Sequence, residues 1–448
     1  MPNSARRRER AMDASNAGAG MTLTPEHFLA EGAPLSGGPA WLAVLRQQAA
    51  ARLRAEGLPA KDDESWRHAP LAPLKRFPLG NGQAAVLPTL PGLLPAGERA
   101  ARLVFVNGRL LANASELDGL PQGAVLGGLA ELWQTQPAAL SGRFGRLSAT
   151  NGLPFAQLNM SLSADGYALL LADGVKIERP IEIVFAGQGG QAWHPRILLA
   201  LGRDSEACVL ESHQGDGAYF ANGVSELLLG DGARLGHYRL QDEAPAAQHL
   251  QASLAELGQN ARLDSFGLSL GGGFARNEWR VRLAGEGASV RLDGAFALGG
   301  RQHGEIIATI EHLAPRTTSA QVTKGVLDGR ARQVFQGKIA VGERAAKSVG
   351  SQLNKTLLLS RQAEVTAKPE LEINCDDVQC NHGAAVGALD EKQLFYLQSR
   401  GIPLARARTL LVAGFLDEVV DGIAQPAVAA AFRQRIAGWL AGREGDKT

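Results

Sequence analysis

The feature that most constrains the fold of this chain is a short repeat, in which a turn of small residues is followed by an alanine and a run of β-forming residues. The repeat alanines are Ala207, Ala233, Ala261, Ala288, Ala331 and Ala363. The first four recur at nearly equal intervals, with a period in the twenties, and the last two follow after longer intervals. Strand-like units that recur at such a period, with no helix between them, are typical of the stacked coils of a β-solenoid.

A large β-sandwich or barrel is the alternative architecture. Glycine accounts for 54 of the 448 residues, a share well above the roughly 7% of average proteins. Aromatic residues make up only 5%. Many turns with few large core residues favour the solenoid, because each coil covers the apolar face of its neighbour and the core becomes a continuous column.

Helical patterns flank the β-rich region. On the N-terminal side, Leu42, Leu45, Ala49 and Leu53 lie on one stripe of a predicted helix that Gly57 ends. On the C-terminal side, predicted helices begin after an N-cap at Asp390, at Pro403 and at Pro426.

We therefore expect four parts in the chain. These are a disordered tail at 1–20, a helical region and linker at 21–99, a parallel β-helix core at 100–387 and a helical region at 388–448. The tail has the alternative interpretation of upstream sequence ahead of a true start at Met21.

Composition and charge exclude several classes of protein. With 46 basic and 45 acidic residues the net charge is +1, which argues against nucleic acid as the main partner. No run approaches the roughly 18 apolar residues of a membrane span. Three cysteines and no secretory signal indicate a reducing, cytoplasmic location.

The sequence holds no complete catalytic constellation. It contains no P-loop, no G-x-G-x-x-G and no H-E-x-x-H. Ser269 lies in a G-x-S-x-G match, but a strand-like run follows it where a nucleophile elbow needs a helix. Glu311 and His312 are the candidate residues of an alternative function, a β-solenoid carbohydrate-active lyase or hydrolase. Charged residues on the outer face of a solenoid are usually only solvated, so we favour a protein that is not an enzyme.

Reactive side chains are concentrated between residues 368 and 387, which hold two of the three cysteines and one of the nine histidines. If this segment is extended, Cys380 and His382 point to the same side. A thiolate and an imidazole on one face form half of a tetrahedral site for zinc or iron. Two ligands cannot hold a metal firmly, so the others would come from another subunit. On spacing alone, a buried cysteine beside a surface histidine is the simpler interpretation.

The other two cysteines receive no chemical role. Cys375 precedes Cys380 by an odd offset, which directs it to the opposite face of an unbroken strand. Cys208 lies in an apolar strand and is interpreted as a buried structural residue. We expect alanine at either position to have a mild effect.

Residues 368–402, with the sequence KPELEINCDDVQCNHGAAVGALDEKQLFYLQSRGI, resemble the signature of the SufB/SufD family of the SUF iron–sulfur cluster assembly scaffold. WRHAPLAPL at 66–74, PFAQLN at 154–159 and HPRILLALG at 194–202 resemble the same family, so the resemblance spans about residues 25–440. Members of the SufB branch carry a glutamate-containing segment such as EHEATTSK where this chain has CNHGAAVG. The chain is therefore closer to the SufD branch.

The resemblance implies a mainly β fold, a right-handed parallel β-helix flanked by N-terminal and C-terminal helical regions. It also implies a non-catalytic scaffold subunit that pairs with a SufB-like paralogue and docks a SufC-like ATPase, with a cysteine desulfurase system involved indirectly. By position, Cys380 and His382 match the family's C-x-H pair near the SufB interface, where an iron–sulfur cluster forms transiently. The sequence leaves open whether iron, sulfur or a whole cluster binds there, and whether the complex binds reduced flavin.

The C-terminal helices carry apolar stripes too extensive for one edge of a solenoid to cover, so some apolar surface should remain for a partner. The resemblance names that partner as the SufC-like ATPase. Phe415, Leu416 and Val419 are the expected packing anchors, with a place in the internal core as their alternative role.

Overall fold

The computed structural model describes residues 24–29, 37–60, 62–77, 92–150 and 152–445. The expectations for the tail at 1–20 and for a start at Met21 lie outside these residues. The helices are α1 (Pro25–Leu29), α2 (Ala40–Glu56), α3 (Leu129–Thr135), α4 (Pro137–Leu140), α5 (Pro154–Leu162), α6 (Glu391–Ser399), α7 (Leu404–Val420) and α8 (Pro426–Gly445). Among the helices that the structure describes there is no candidate for a membrane span.

The described strands form two sheets. Sheet A contains β1 (Ala101–Val106), β2 (Arg109–Leu110), β5 (Ile181–Gln188), β8 (Glu206–Asp216), β10 (Arg234–Glu243), β12 (Arg262–Ser269), β14 (Ser289–Leu298), β16 (Thr318–Leu327), β18 (Ser348–Leu358) and β20 (Val378–Gly387). Sheet B contains β3 (Ala124–Gly128), β4 (Gly166–Leu171), β6 (Ala192–Trp193), β7 (Arg196–Leu201), β9 (Phe220–Leu229), β11 (Gln248–Leu257), β13 (Phe274–Leu283), β15 (His303–His312), β17 (Arg332–Val341) and β19 (Glu364–Ile373).

From β8 onward the chain alternates between the two sheets, and neighbouring strands within each sheet are parallel. Each coil contributes one strand to each sheet, and the coils stack into a parallel β-solenoid of about eight turns. The prediction of a mainly β solenoid with helices at both ends is confirmed. The sandwich or barrel alternative is wrong, because each strand from β8 onward pairs in parallel with the strand one coil away, whereas a sandwich is built from antiparallel sheets.

The repeat alanines lie in the coils of the solenoid, but at two different corners of the coil. Ala233, Ala261 and Ala288 precede strands of sheet A, whereas Ala331 and Ala363 precede strands of sheet B. The long interval from Ala288 to Ala331 therefore spans one coil and part of the next. The register shows the true period, because Arg234 pairs with Arg262 and Arg262 pairs with Ser289, at nearly equal steps along the chain.

Between the two sheets, the core is apolar over most of its length but contains a polar band. Glu211 is fully buried and accepts hydrogen bonds from Arg239 Nε at 3.0 Å and from the Tyr167 hydroxyl at 2.6 Å. Burial alone raises the pKa of the Glu211 carboxyl, but Arg239, His237 and His213 outweigh burial and hold that pKa well below its usual value. A buried charge needs such partners because low polarity disfavours its ionised form.

At the N-terminal side, α2 forms where the apolar stripe predicts it. Leu42, Ala49 and Leu53 are buried. Gly57 ends the helix with φ of 77° and donates its N–H to the Leu53 carbonyl at 2.9 Å. Glycine is favoured at such a C-terminal position because it enters the left-handed region without a steric cost.

The three C-terminal helices begin where the sequence predicts them. The Asp390 carboxylate caps α6 by accepting the Lys392 N–H at 2.7 Å, while Pro403 precedes α7 and Pro426 begins α8. Buried residues of α7 and α8, including Phe432, pack on the outer face of sheet A against apolar side chains such as Phe266. The helices therefore cover the side of the solenoid and leave its last coil, β19 and β20, at the end of the stack.

Candidate functional site

Residues 368–387 form most of the last coil of the solenoid. The second half of β19 runs from Lys368, a turn follows at 374–377, and β20 completes the coil. β19 ends sheet B and β20 ends sheet A, so each strand has a neighbour on one side only. Ile373 and Val386, one on each strand, are 44% and 50% exposed. In the part of the chain that the structure describes, this end of the solenoid is open.

The last coil brings Cys380 and His382 to one face of β20, the face that looks into the space between the sheets. Cys380 is in register with Gly350 of β18, and His382 is in register with Gln352. Cys380 packs with Val378 against the interior residues of the preceding coil. Because residues two apart in a strand share a face, His382 continues the same line, and it is exposed at the open end.

The Cys380 thiol is half-buried beside a glycine. A Cβ at Gly350 would lie 3.3 Å from Cys380 Sγ and 3.2 Å from Ile339 Cγ2, so the absence of a side chain leaves room for the sulfur. Burial raises the pKa of the Cys380 thiol, and a hydrogen bond with the Gly350 backbone acts in the opposite direction. A thiol with a raised pKa is mostly protonated at neutral pH, so ligand binding must displace a proton.

Cys375 lies closer to this face than its odd offset from Cys380 predicts. It is in the turn before β20 rather than in an unbroken strand, so the alternation of a strand does not apply to it. Its side chain packs on the same small interior cluster as Cys380, formed by Ile339, Val341 and Ala345. The structure thus places two thiols against one cluster. Still, no group of three or more potential metal ligands converges within the described residues.

The two thiols of Cys208 and Cys380 should differ sharply in reactivity. Burial raises the pKa of Cys208 to about 12, so at pH 8 roughly one molecule in ten thousand carries its thiolate. With Cys375 replaced by alanine, we expect iodoacetamide at pH 8 to modify Cys380 at least tenfold faster than Cys208, and both rates to rise with pH. Peptide mass spectrometry measures the two rates. Equal labelling in the native chain would contradict this order, and the urea-unfolded chain serves as the control.

The predicted tail anchors lie mainly inside the chain. Leu416 is fully buried and Val419 is 2% exposed, both in the cluster between the helices and sheet A. Phe415 is half-buried, and the Lys324 ammonium lies 4.7 Å from its ring centroid. Lys324 also pairs with Glu418, which fastens α7 to the solenoid. A role of the three predicted residues in partner docking stays a prediction.

Other apolar side chains of the tail are exposed. Phe395 and Tyr396 of α6 are 73% and 57% exposed, and Leu404 and Leu410 of α7 are 41% and 40% exposed. These four residues are called the exposed tail residues below. Nearby, a cavity of about 320 Å³ lies between the three helices and the end of β18, and its lining includes Leu394 of α6. Sequence periodicity identified the apolar stripes but not which of their residues remain uncovered.

The candidate enzymatic residues do not converge. His312 is fully buried, and its two ring nitrogens lie 2.8 Å from the hydroxyl oxygens of Thr317 and Ser319. The Glu311 side chain is 43% exposed and lies on the other face of β15. Ser269 ends β12, and β13 follows it rather than a helix. The pair and the serine therefore lack the geometry that their proposed chemistry requires.

Comparison with known proteins gives consistent results over most of the chain. Residues 184–415 match the family model described as the SUF system FeS cluster assembly, SufBD core domain, and residues 99–183 match the model of the SufBD protein N-terminal region. The iron–sulfur cluster assembly protein SufD of Escherichia coli is 28% identical over 84% of this chain and 88% of its own length.

Two further relatives show similar levels of identity. An iron–sulfur cluster assembly SufBD family protein of Synechocystis is 28% identical over 87% of this chain and 89% of its own length. The chloroplastic protein ABCI7 of Arabidopsis thaliana is 30% identical over 67% of this chain and 66% of its own length.

Proposed function

The chain belongs to the SufBD family of the SUF system of iron–sulfur cluster assembly, and we propose that within this system it is a non-catalytic scaffold subunit of the SufD type. Its work is to present ligands to a growing cluster, which is its cargo, and to hold its partners in place. The observation that carries this proposal is the incomplete pair of Cys380 and His382 at the open end of the solenoid.

An incomplete site suits a scaffold better than a storage protein. Soft sulfur and imidazole are ligands that iron and iron–sulfur clusters accept. A site that lacks two ligands holds its cargo only while another subunit supplies the rest, so separation of the subunits releases the cluster. The open end of the solenoid supports this arrangement, because β19 and β20 carry unpaired edges on which a second solenoid can add. The SufB-like paralogue is the proposed partner at this end.

The tail is the proposed docking site for the SufC-like ATPase. The exposed tail residues provide an apolar surface of the kind that marks protein contacts. Leu416 and Val419 support that surface from beneath, because they anchor α7 on sheet A. The Lys324–Glu418 pair joins the same helix to β16, so a pull on the tail would reach the solenoid directly.

A carbohydrate-active lyase or hydrolase remains the alternative function, and the geometry of this chain does not support it. Such an enzyme requires carboxylates or basic residues that converge on a bound sugar. Glu311 and His312 lie on opposite faces of β15, and the histidine is closed off by two hydroxyl groups. We also propose a cytoplasmic location, with neither nucleic acid nor membrane among the partners, from the near-zero net charge and the low cysteine content.

Copurification tests the proposed assembly. When the tagged chain is produced together with a SufB-like paralogue and a SufC-like ATPase, we expect all three to elute as one complex. Omission of the paralogue should leave the open end of the solenoid without its partner, and binding of the ATPase through the tail should persist. A tagged chain that elutes alone in the presence of both proteins, or that cleaves polysaccharide at ordinary turnover, would overturn the proposal.

A further inference from the structure

Two glutamine side chains on successive coils form a hydrogen-bonded pair of amides, called the ladder below, inside the solenoid beside the candidate site. Gln321 of β16 and Gln352 of β18 are in register, and both are buried, with 3% and 1% exposure. Gln352 Nε2 donates a hydrogen bond to Gln321 Oε1 at 2.9 Å. Successive coils of a parallel solenoid are one strand spacing apart, about 4.8 Å, so each amide can donate to the oxygen of the amide one coil earlier.

The ladder ends at Gln352, whose side-chain oxygen receives no hydrogen bond from the described residues. Gln352 Oε1 is inaccessible to solvent and has no hydrogen-bond partner within the described residues. A buried carbonyl oxygen of this kind normally has a partner. The amide occupies the space over Gly337 of β17 that a side chain there would take. A Cβ at that glycine would come within 1.9 Å of Gln352 Nε2.

The residue of the next coil in the same register is His382. Its side chain points into the interior from β20, as the packing of Cys380 on the same face shows. In histidine, the Nε2 atom stands about as far along the side chain as the Nε2 atom of glutamine. An imidazole at this position can therefore reach with an N–H to the point where the next amide of the ladder would place its own.

We infer that His382 is the last rung of this ladder and that Gln352 is its positioning residue. In the structure the His382 ring is exposed and Gln352 Oε1 is unpaired among the described residues, so the inferred bond forms when the ring turns towards the preceding coil. The His382 Nε2–H then donates to Gln352 Oε1, which fixes the ring orientation and the tautomer and leaves the Nδ1 lone pair free. The next step rests on the proposed function. Nδ1 is then the nitrogen that binds iron, beside the Cys380 sulfur. Histidines that bind metals commonly donate their second ring N–H to a carbonyl or carboxylate oxygen, and loss of that acceptor typically weakens metal binding by about 10- to 100-fold.

The first test reads the hydrogen bond directly, in the metal-free chain. Selective ¹⁵N labelling of histidine gives signals from only nine residues, and a His382→Asn variant assigns the one of interest. An exposed imidazole N–H exchanges too fast with water to be observed, so a bonded Nε2–H should appear as a resolved proton resonance. We expect this resonance in the wild-type chain, its loss in Gln352→Met, and its retention in Gln352→Glu, which keeps an acceptor oxygen.

Gln379→Met is the matched control, because Gln379 is exposed and lies on the opposite face of β20 from Cys380 and His382. That variant should keep the resonance. Thermal unfolding of both methionine variants checks that the fold survives. Absence of the resonance from the wild-type chain, or its persistence in Gln352→Met, would overturn the ladder.

The second test separates this inference from the proposed function. In the complete three-protein complex, Gln352→Met should lower the yield of reconstituted cluster about tenfold or more. If the resonance behaves as expected but the yield does not change, the assignment of Nδ1 to iron is wrong. If the resonance is absent while Cys380→Ala alone abolishes the cluster, the ladder is wrong and the scaffold function stands.

Discussion

Replacement of both Cys380 and His382 by alanine is expected to reduce cluster formation in the assembled complex at least tenfold and to leave the complex itself intact. The chemical reason is that the two replacements remove both proposed ligands of a site that the described residues only half complete. The measurement is reconstitution of the complex with ferrous iron and a sulfur donor, followed by the visible absorbance of the cluster.

Folding should not depend on the pair. His382 is exposed and Cys380 is only half-buried, so their truncation removes little apolar contact compared with the roughly 2–5 kcal/mol of a large core side chain. The backbone pairing of β20 with β18 involves no side chain and is retained. Assembly of the double variant with its partners, measured by gel filtration, should therefore match the wild type.

Two kinds of control sharpen the result. Gln379→Ala and Asn381→Ala truncate exposed residues that alternate with the pair on the same strand, so they disturb the edge of β20 without removing a proposed ligand. Cys375→Ala and Cys208→Ala remove the other two thiols, and their effect should be mild. A wild-type cluster yield from the Cys380/His382 double variant would end the proposal.

The repeat predicted the architecture because each coil of a solenoid is formed by one short, continuous segment of the sequence. Small residues at Ala233 and Ala261 fill tight corners, and each strand pairs with one from the next coil. The same reasoning could not separate the two corners of a coil, since the turns before sheet A and those before sheet B have similar composition. The register of strands that are one coil apart resolves this ambiguity, and it depends on packing across the whole stack.

The shared face of Cys380 and His382 was predictable for the same reason, because alternation holds within an unbroken strand. The position of Cys375 was not, because its turn is set by contacts with Val341 and Ala345 of the preceding coil. Gln352 carried no signal in the sequence. Its relation to His382 arises only from the register between β18 and β20, strands that belong to successive coils.

For the tail residues Leu416 and Val419, the sequence predicted an apolar helix face but not what that face contacts. The spacing of Leu416 and Val419 shows that one side of α7 is apolar. It does not show whether that side packs against a partner protein or against the rest of this chain. The structure shows both residues packed on sheet A. Deletion of the tail from Ala388 onward would therefore expose apolar residues on the outer face of sheet A as well as remove the proposed docking surface. Such a deletion alone cannot test docking cleanly.

Substitution at the exposed tail residues tests it directly. Changing Phe395 and Tyr396 together to glutamate should weaken binding of the SufC-like ATPase by about 100-fold or more. Buried aromatic anchors at protein interfaces are commonly worth about 2 kcal/mol or more each, and each 1.4 kcal/mol corresponds to a tenfold change in affinity. Both side chains project from α6 into solvent, 73% and 57% exposed, so the fold should tolerate the change.

Leu416→Ala is the complementary variant, because it changes a buried residue of the tail instead of exposed ones. It creates a cavity beneath α7 and should cost about 2–5 kcal/mol of stability, whereas the exposed tail residues keep their side chains. Titration calorimetry measures the affinity of both variants, and thermal unfolding measures their stability. If the aromatic variant binds as tightly as the wild type while Leu416→Ala binds weakly, the buried face of α7 rather than the exposed tail residues governs docking. Unchanged affinity in both variants would place the ATPase elsewhere on the molecule, because neither face of the tail helices would then contribute to the contact.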